Sequence, residues 1–194
     1  MAERKGFFEV FPGFECPGDT KELFAQVFVT AAVLVKSEKT LKIHIESKIL
    51  IEKQDIYAVE DALSEFVSQG NLHVKIIEYY DLSNQYDISK LTNVYKDSLL
   101  FELQAESSVL YRLVKNAEWF IDANIITLTL DDTFLAKTRS ADIKKYLEQV
   151  YRERFHYDIQ VGFDFTEEQK DSIRRANEHK LYLEVHQIME QVAS

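Results

Sequence analysis

Strict alternation of apolar and polar residues marks two stretches of the chain, one in each half. In residues 41–46 every second position is leucine or isoleucine, and the positions between them are lysine, histidine and glutamate. In residues 126–130 isoleucine and leucine alternate with threonine. Because successive side chains of a strand point to opposite faces, each stretch predicts a strand with one apolar and one polar face. The segments before them, 27–36 and 118–122, predict the partner strands of two hairpins.

The first predicted hairpin is followed by a helical pattern and a further strand. Apolar residues recur at helical spacing over residues 55–68, and Gly70-Asn71 suits the C-terminal end of such a helix. Residues 72–80 then alternate again and predict a strand. The first half therefore has the order strand, strand, helix, strand.

The second half repeats this order with one extra turn of helix. Asp131-Asp132 is expected to cap a short helical turn, and Ser140 is expected to cap a longer helix. The last strand is expected over residues 159–165. These patterns predict an α+β fold of two small KH-like units, each with strand, strand, helix, strand order and a three-stranded sheet with helices on one face.

Three further segments flank the two units. Four phenylalanines near the N-terminus are expected to dock on the core, because that many exposed aromatic rings would form a sticky patch. Two helices are expected between the units, separated at Ser107-Ser108, and a capping box at Thr166 opens a last helix. The predicted parts are 1–82, the first KH-like unit with its lead-in; 83–165, the second KH-like unit in type II order; and 166–194, the C-terminal helix.

Composition excludes several classes of protein. The formal net charge is −10, and the parts before and after Tyr80 are both acidic, which argues against a large nucleic-acid footprint. Cys16 is the single cysteine, so an intrachain disulfide and a thiolate metal cluster are excluded, and a reducing compartment is expected. The longest apolar run, 24–35, is well short of the roughly 20 residues that a membrane helix needs. We expect a cytoplasmic protein with no membrane contact.

No residue pattern predicts catalysis or cofactor binding. Asp131 and Asp132 resemble a paired metal site, but adjacent residues leaving a strand point to opposite faces, which favours helix capping. The five histidines are dispersed, without the spacing of metal ligands, and no glycine-rich phosphate loop is present. We expect no catalytic site, metal or cofactor in this chain.

Two groups of residues are candidates for binding. The GXXG loop with which KH domains grip nucleic acid is replaced by Lys137-Thr138-Arg139-Ser140 in the second unit. A basic helix cluster remains there as a possible nucleic-acid or partner contact, although a solvated helix face explains it equally well: Lys137, Arg139, Lys144, Lys145, Arg152 and Arg154. Three tyrosines are candidates for stacking on bases or for sealing the two units together: Tyr79, Tyr80 and Tyr86.

Seven short motifs along the chain resemble those of one known family. They are Phe7-Phe8-Glu9-Val10-Phe11-Pro12, Asp55-Ile56-Tyr57, Val74-Lys75-Ile76-Ile77-Glu78, Leu82-Ser83-Asn84-Gln85-Tyr86, Tyr95-Lys96-Asp97-Ser98, Leu130-Asp131-Asp132-Thr133 and Glu153-Arg154-Phe155. In this order they resemble the N-terminal region of PolC, the replicative DNA polymerase III alpha subunit of low-GC Gram-positive bacteria. In that family the region precedes an OB-fold, a PHP domain with an inserted exonuclease and the polymerase domains, none of which is present here.

This resemblance implies a non-catalytic module of a DNA-directed DNA polymerase. Its implied role is protein contact in the replisome, with the clamp loader's tau subunit as the expected partner, because the polymerase-binding domain of tau is also KH-like. Two alternatives stay open. One is a module that contacts DNA through the basic helix cluster, and the other is a structural brace that packs on the polymerase's own later domains through the apolar end of the last helix.

Overall fold

Two β-sheets with the same strand arrangement form the framework of the protein. The computed structural model describes residues 4–83 and 86–166. It contains a four-stranded and a three-stranded sheet with helices packed against them, which confirms the predicted α+β class. The predicted helix at 166–194 lies almost wholly outside the described residues, and the predicted domain boundaries stay predictions.

The first sheet has the strand order β1-β2-β3-β4. Its strands are β1 (Lys5–Gly6), β2 (Phe28–Val35), β3 (Thr40–Ser47) and β4 (His73–Tyr80). The β2–β3 hairpin is antiparallel, and α3 (Lys53–Ser68) connects β3 to β4, which runs parallel to β3. Three of these strands and the helix were predicted. The two-residue strand β1 was not predicted, because it is too short to show any alternation.

The second sheet repeats this arrangement with three strands in the order β5-β6-β7. Its strands are β5 (Glu118–Asp122), β6 (Ile125–Asp131) and β7 (Gln160–Thr166). The β5–β6 hairpin is antiparallel, and α6 (Phe134–Phe155) connects β6 to the parallel strand β7. Both sheets thus hold the second hairpin strand in a central position between an antiparallel and a parallel neighbour.

One continuous helix, α6, occupies the segment in which a short turn and a separate helix were expected. The Oγ1 atom of Thr133 accepts a hydrogen bond from the Ala136 N–H at 3.1 Å, so Thr133 caps the helix. The expected cap at Asp131-Asp132 was wrong, because Thr133 holds the capping position. The expected cap at Ser140 was also wrong, because its hydroxyl donates to the Lys137 carbonyl inside the helix at 2.9 Å. A type II KH order needs two helices here, so the KH likeness stays a prediction.

The N-terminal phenylalanines dock on the first unit as expected. They are carried by α1 (Phe7–Val10) and by the loop that leads to α2 (Lys21–Phe24). Phe7, Phe11 and Phe14 are buried, and the ring of Phe7 meets that of Phe24 edge to face at 4.8 Å. Their burial extends the core beyond the sheet and its crossover helix.

Two helices between the sheets help to bring the units together. They are α4 (Ile88–Glu106) and α5 (Ser108–Asn116), and Ser107 caps α5 through its side chain. The buried ring of Tyr80 at the end of β4 stacks on Phe155 at the end of α6, with centroids 5.4 Å apart. The two units therefore share one continuous core.

Candidate functional site

The outer face of the second sheet is open, because the buried side chains of β6 point to the opposite face, where the helices pack. Alternate positions of the three strands supply this outer face. We call it the acidic face, and its residues are Glu118, Phe120, Asp122, Ile125, Thr127, Thr129, Gln160, Gly162 and Asp164.

An aromatic ring lies in the middle row of the acidic face, on the edge strand β5. Phe120 lies beside Thr127, which in turn lies beside Gly162. The side chains of this row therefore become smaller from β5 to β7. Phe120 is 66% exposed, and Ile125 in the neighbouring row is 43% exposed. Exposed apolar side chains grouped on one face and surrounded by polar residues are typical of interaction sites.

Carboxylates occupy the rows on either side of the Phe120 row. Glu118, Asp122 and Asp164 are exposed, and none of them forms an ion pair within residues 4–83 and 86–166. Their negative charge is therefore available to a ligand rather than neutralised by neighbouring side chains. An apolar side chain between two rows that carry carboxylates suits a protein segment in which basic residues flank an apolar one.

Most of the basic helix cluster is paired with acids. Four ion pairs hold its members: Lys137 with Asp132 at 2.5 Å, Arg139 with Asp142 at 3.0 Å, Lys144 with Glu148 at 3.7 Å and Arg152 with Asp158 at 3.6 Å. Lys145 is exposed. These neighbouring acids reduce the positive potential that the cluster offers to a phosphate, and its role as a binding surface stays a prediction.

Arg154 does not belong to the exposed cluster, contrary to the interpretation of the sequence. Its side chain is only 12% exposed, because this position of α6 faces the joint between the two units. Its guanidinium donates two hydrogen bonds to Glu102, Nη1 to Oε2 at 2.7 Å and Nη2 to Oε1 at 2.5 Å. A nucleic acid on the outer surface of α6 has no access to it.

Arg154 is part of a buried ion network built from four elements of both units. Lys53 opens α3, Glu78 lies in β4, Glu102 in α4 and Arg154 in α6. The Nζ atom of Lys53 lies 2.6 Å from Oε1 of Glu78 and 3.5 Å from Oε1 of Glu102. The Nε atom of Arg154 lies 3.7 Å from Oε2 of Glu78, which closes the network.

Burial and ion pairing have opposite effects on the pKa values of Glu102 and Arg154. Burial by itself raises the pKa of Glu102, but the hydrogen bonds and charge of Arg154, together with Lys53, outweigh it and lower this pKa to about 2. Burial acts to lower the pKa of Arg154, whereas Glu78 and Glu102 raise it well above its ordinary value. Glu102 and Arg154 therefore stay charged at neutral pH.

A cleft of about 270 Å³ adjoins this network, yet its polar groups are occupied with one another. Tyr146 donates to Glu102 at 3.0 Å, and no buried side-chain nitrogen or oxygen in the described residues lacks a hydrogen-bond partner. The sequence contained one signal for the network that was missed. Glu78 lies on the face of β4 that Val74 and Ile76 fill with apolar side chains, and an acid in such a position needs a buried partner.

The three candidate tyrosines have different environments. Tyr80 is buried, and its hydroxyl donates to the Ile51 carbonyl at 3.2 Å, so it seals the core. Tyr79 is half-buried with its ring 4.7 Å from that of His156. Tyr86 is half-buried, and its carbonyl accepts a hydrogen bond from the Tyr157 hydroxyl at 2.5 Å. Tyr80 is thus unavailable for stacking on a ligand.

The described residues contain no group of three or more histidine, cysteine, aspartate or glutamate side chains that could hold a metal ion. In the same part of the chain, none of the helices combines the length and the hydropathy required to span a bilayer.

Comparisons with known proteins give one family match and one group of distant relatives. Residues 6–77 match the family described as DNA polymerase III polC-type N-terminus I. The fibrillarin-like rRNA/tRNA 2'-O-methyltransferase of Methanococcus vannielii is 29% identical over 117 residues, covering 58% of this chain and 48% of the methyltransferase. That of Methanococcus maripaludis strain C5 is 28% identical over 123 residues, covering 61% and 50%. No solved structure matches.

The two results carry different weight. The family match confirms the resemblance to the N-terminal region of PolC and supports a DNA polymerase III N-terminal module. The chain spans about half the length of the methyltransferases that it resembles, at an identity below 30%. That similarity therefore does not bring their activity to this chain.

Proposed function

We propose that this chain is the non-catalytic N-terminal module of a PolC-type DNA polymerase III alpha subunit and acts in DNA replication by binding a replisome protein through the acidic face. The match of residues 6–77 supports the polymerase as the parent protein. The observation that carries the binding role is Phe120, which is 66% exposed in the middle row of an open sheet face. We place this activity in the cytoplasm.

The charge of the acidic face favours a protein over a nucleic acid as its ligand. Three carboxylates around Phe120 repel phosphates and attract lysine or arginine side chains. Aromatic residues at the centre of an interface often supply most of the binding energy, while the polar rim sets orientation and association rate. The proposed ligand is therefore a segment with an apolar anchor for the Phe120 row and flanking basic residues.

The clamp loader's tau subunit is the partner that we propose for this face. Binding is measured by biolayer interferometry with the immobilised chain and purified tau. We expect Phe120→Ala to raise the Kd at least tenfold, because it removes the central anchor. The triple change Glu118→Lys, Asp122→Lys, Asp164→Lys should slow association and weaken the salt dependence of the rate.

Phe134→Ala is the matched control. Phe134 is 87% exposed at the start of α6, outside the acidic face, so its removal changes the same amount of aromatic surface at another place. We expect this variant to bind tau with the wild-type Kd. A chain that does not bind tau contradicts the proposed partner, and equal losses from Phe120→Ala and Phe134→Ala contradict the proposed face.

The two alternative roles have less support from the described residues. Contact with DNA through the basic helix cluster is weakened by the acids that pair with four of its members. The structural brace depends on the segment 166–194, of which the structure describes only Thr166. Both alternatives stay predictions.

A further inference from the structure

The outer face of the first sheet has a chemistry opposite to that of the acidic face. The residues of β4 alternate, so that Val74, Ile76, Glu78 and Tyr80 are buried, whereas the positions between them face outward. We call the outward surface the basic face, and its residues are Phe28, Ala31, Val33 and Val35 of β2, Thr40, Lys42, His44 and Glu46 of β3, and His73, Lys75, Ile77 and Tyr79 of β4.

Two lysines lie directly beside each other on the basic face. Lys42 and Lys75 are partners in the parallel β3–β4 ladder, and like charges in neighbouring positions of a sheet destabilise it. Among the residues that the structure describes, Lys42 forms an ion pair with Glu38 at 3.9 Å and Lys75 forms one with Glu106 at 4.0 Å, which are long distances for an ion pair. An anionic ligand between the two ammonium groups would relieve their repulsion.

Histidines extend this surface along both strands. His44 lies two residues beyond Lys42 in β3, and His73 lies two residues before Lys75 in β4, so all four side chains point to the same side. The imidazoles are hydrogen-bond donors to phosphate oxygens as well as flat surfaces for stacking. The basic face therefore presents a block of four donors.

Aromatic rings lie at the other end of the same face. Phe28 and Tyr79 occupy one row on either side of Glu46, whose carboxylate is held by Arg4 at 2.9 Å. Phe28 is 42% exposed, and Tyr79 is half-buried. Tyr79 lies four positions after Lys75 in β4, which places the two residues about 13 Å apart at the usual rise of a strand.

We propose that the basic face binds single-stranded nucleic acid, with Lys42 and Lys75 at phosphates and Phe28 and Tyr79 stacked on bases. Open sheets with exposed aromatics and flanking cations bind single strands because every base has a face on which to stack. A duplex keeps its bases stacked internally and offers nothing to the aromatic row. This site lies on a different sheet from the proposed protein contact and is independent of it.

The test is fluorescence anisotropy with the full 194-residue chain and labelled 20-mers of oligo(dT) and oligo(U), at 50 and 200 mM salt. Two phosphate contacts on a single strand give a loss of affinity of about sevenfold over that range. We expect Lys42→Glu with Lys75→Glu to raise the Kd at least tenfold, and Tyr79→Ala to raise it at least fivefold. Binding of either oligonucleotide supports the site, and the preferred sugar identifies DNA or RNA as its source.

Matched charge reversals on exposed residues of α2 and α5 serve as the control. Lys21→Glu with Arg112→Glu changes the net charge by the same amount, and we expect its Kd to stay within twofold of the wild-type value. Circular dichroism and thermal unfolding confirm that every variant is folded. The proposal is overturned by the absence of binding at 50 mM salt, by equal effects of the two double variants, by a blunt duplex that binds as tightly as oligo(dT), or by polyglutamate that competes equally well.

Discussion

The two sheets of this protein share one arrangement and present opposite surfaces to solvent. Each has an antiparallel hairpin, a crossover helix and a parallel third strand. On the first, Lys42 and Lys75 lie side by side, whereas on the second the row of Phe120 lies between two rows that carry carboxylates. The comparison shows that the core positions fix the arrangement, while the alternate positions, which do not contribute to the core, are free to acquire different binding chemistries.

Each unit also contains a glutamate that caps an edge strand. In each case, the glutamate lies in the crossover helix and accepts a hydrogen bond from the parallel strand that follows it: Glu60 from the Ile76 N–H at 2.6 Å, and Glu148 from the Val161 N–H at 3.1 Å. Such contacts occupy edge-strand donors that otherwise invite pairing with another chain. Burial raises the pKa of Glu60 to about 7, against the hydrogen bond from Ile76 and the charge of Lys53.

Arg154→Met tests most strongly whether the two units depend on each other. It leaves Glu78 and Glu102 buried with Lys53 as their remaining partner in the network. Removing one member of a buried ion network costs about 3–5 kcal/mol, so we expect a loss of that size in the free energy of unfolding from urea titrations.

Arg152→Met is the control for this change. Arg152 lies two residues earlier in α6 with its side chain 65% exposed, so its replacement should alter stability by no more than about 0.5 kcal/mol. Equal effects of the two substitutions would show that the network does not join the units.

Glu60→Gln tests how burial affects the strand-capping glutamate of the first unit. Because the pKa of Glu60 is raised from 4.5 to about 7, its contribution to stability is full below pH 4.5 and is lost as the pH rises through 7. Glutamine keeps an acceptor for the Ile76 N–H but has no charge. We expect the fall in Tm of the wild type between pH 5 and 8 to shrink by about 3 °C, the shift that roughly 1 kcal/mol gives at this size.

A wild-type Tm that rises between pH 5 and 8 contradicts the environment assigned to Glu60, as does a Glu60→Gln variant whose Tm falls as much as that of the wild type.

Lys75→Glu tests whether the basic face costs stability. The substitution places an opposite charge beside Lys42, and cross-strand pairs of this kind contribute about 0.2–1 kcal/mol. We expect the variant to be more stable by that amount in urea titrations at low salt, with the gain disappearing at high salt. A destabilised variant would show that the two lysines do not repel each other across the ladder.

Phe120→Thr should have the smallest effect. Phe120 is 66% exposed, and threonine is well suited to a strand, so we expect the free energy of unfolding to change by less than about 0.5 kcal/mol. Trp119→Thr, one residue earlier and facing the helices, should cost at least about 2 kcal/mol because its half-buried ring packs on the core. A large loss from Phe120→Thr would mean that this ring is covered in the free chain.

The hairpins, the helices α3 to α5 and the docked phenylalanines could be predicted because each depends on a local pattern. Alternation over residues 41–46 and 126–130 determined which side chains face the core. The continuity of α6 could not be predicted, because Ser140 suits both a cap and a helix interior where its hydroxyl reaches a carbonyl of the preceding turn.

The candidate sites were harder to predict, because they depend on contacts between distant residues. Trp119, Phe120 and Ile121 form a continuous apolar run, so the sequence does not reveal which of them faces outward. The neighbourhood of Lys42 and Lys75 follows from the parallel register of β3 and β4, which the alternation in each strand does not specify.

The members of the ion network emerge from the ribosome at different times during synthesis. Lys53 and Glu78 emerge from the ribosome first and can pair within the first unit, whereas Glu102 and Arg154 follow later. A chain ending at residue 82 keeps one acid and one base of the network and lacks the other two. Each unit taken alone therefore carries half of a charge network whose other half lies in its neighbour.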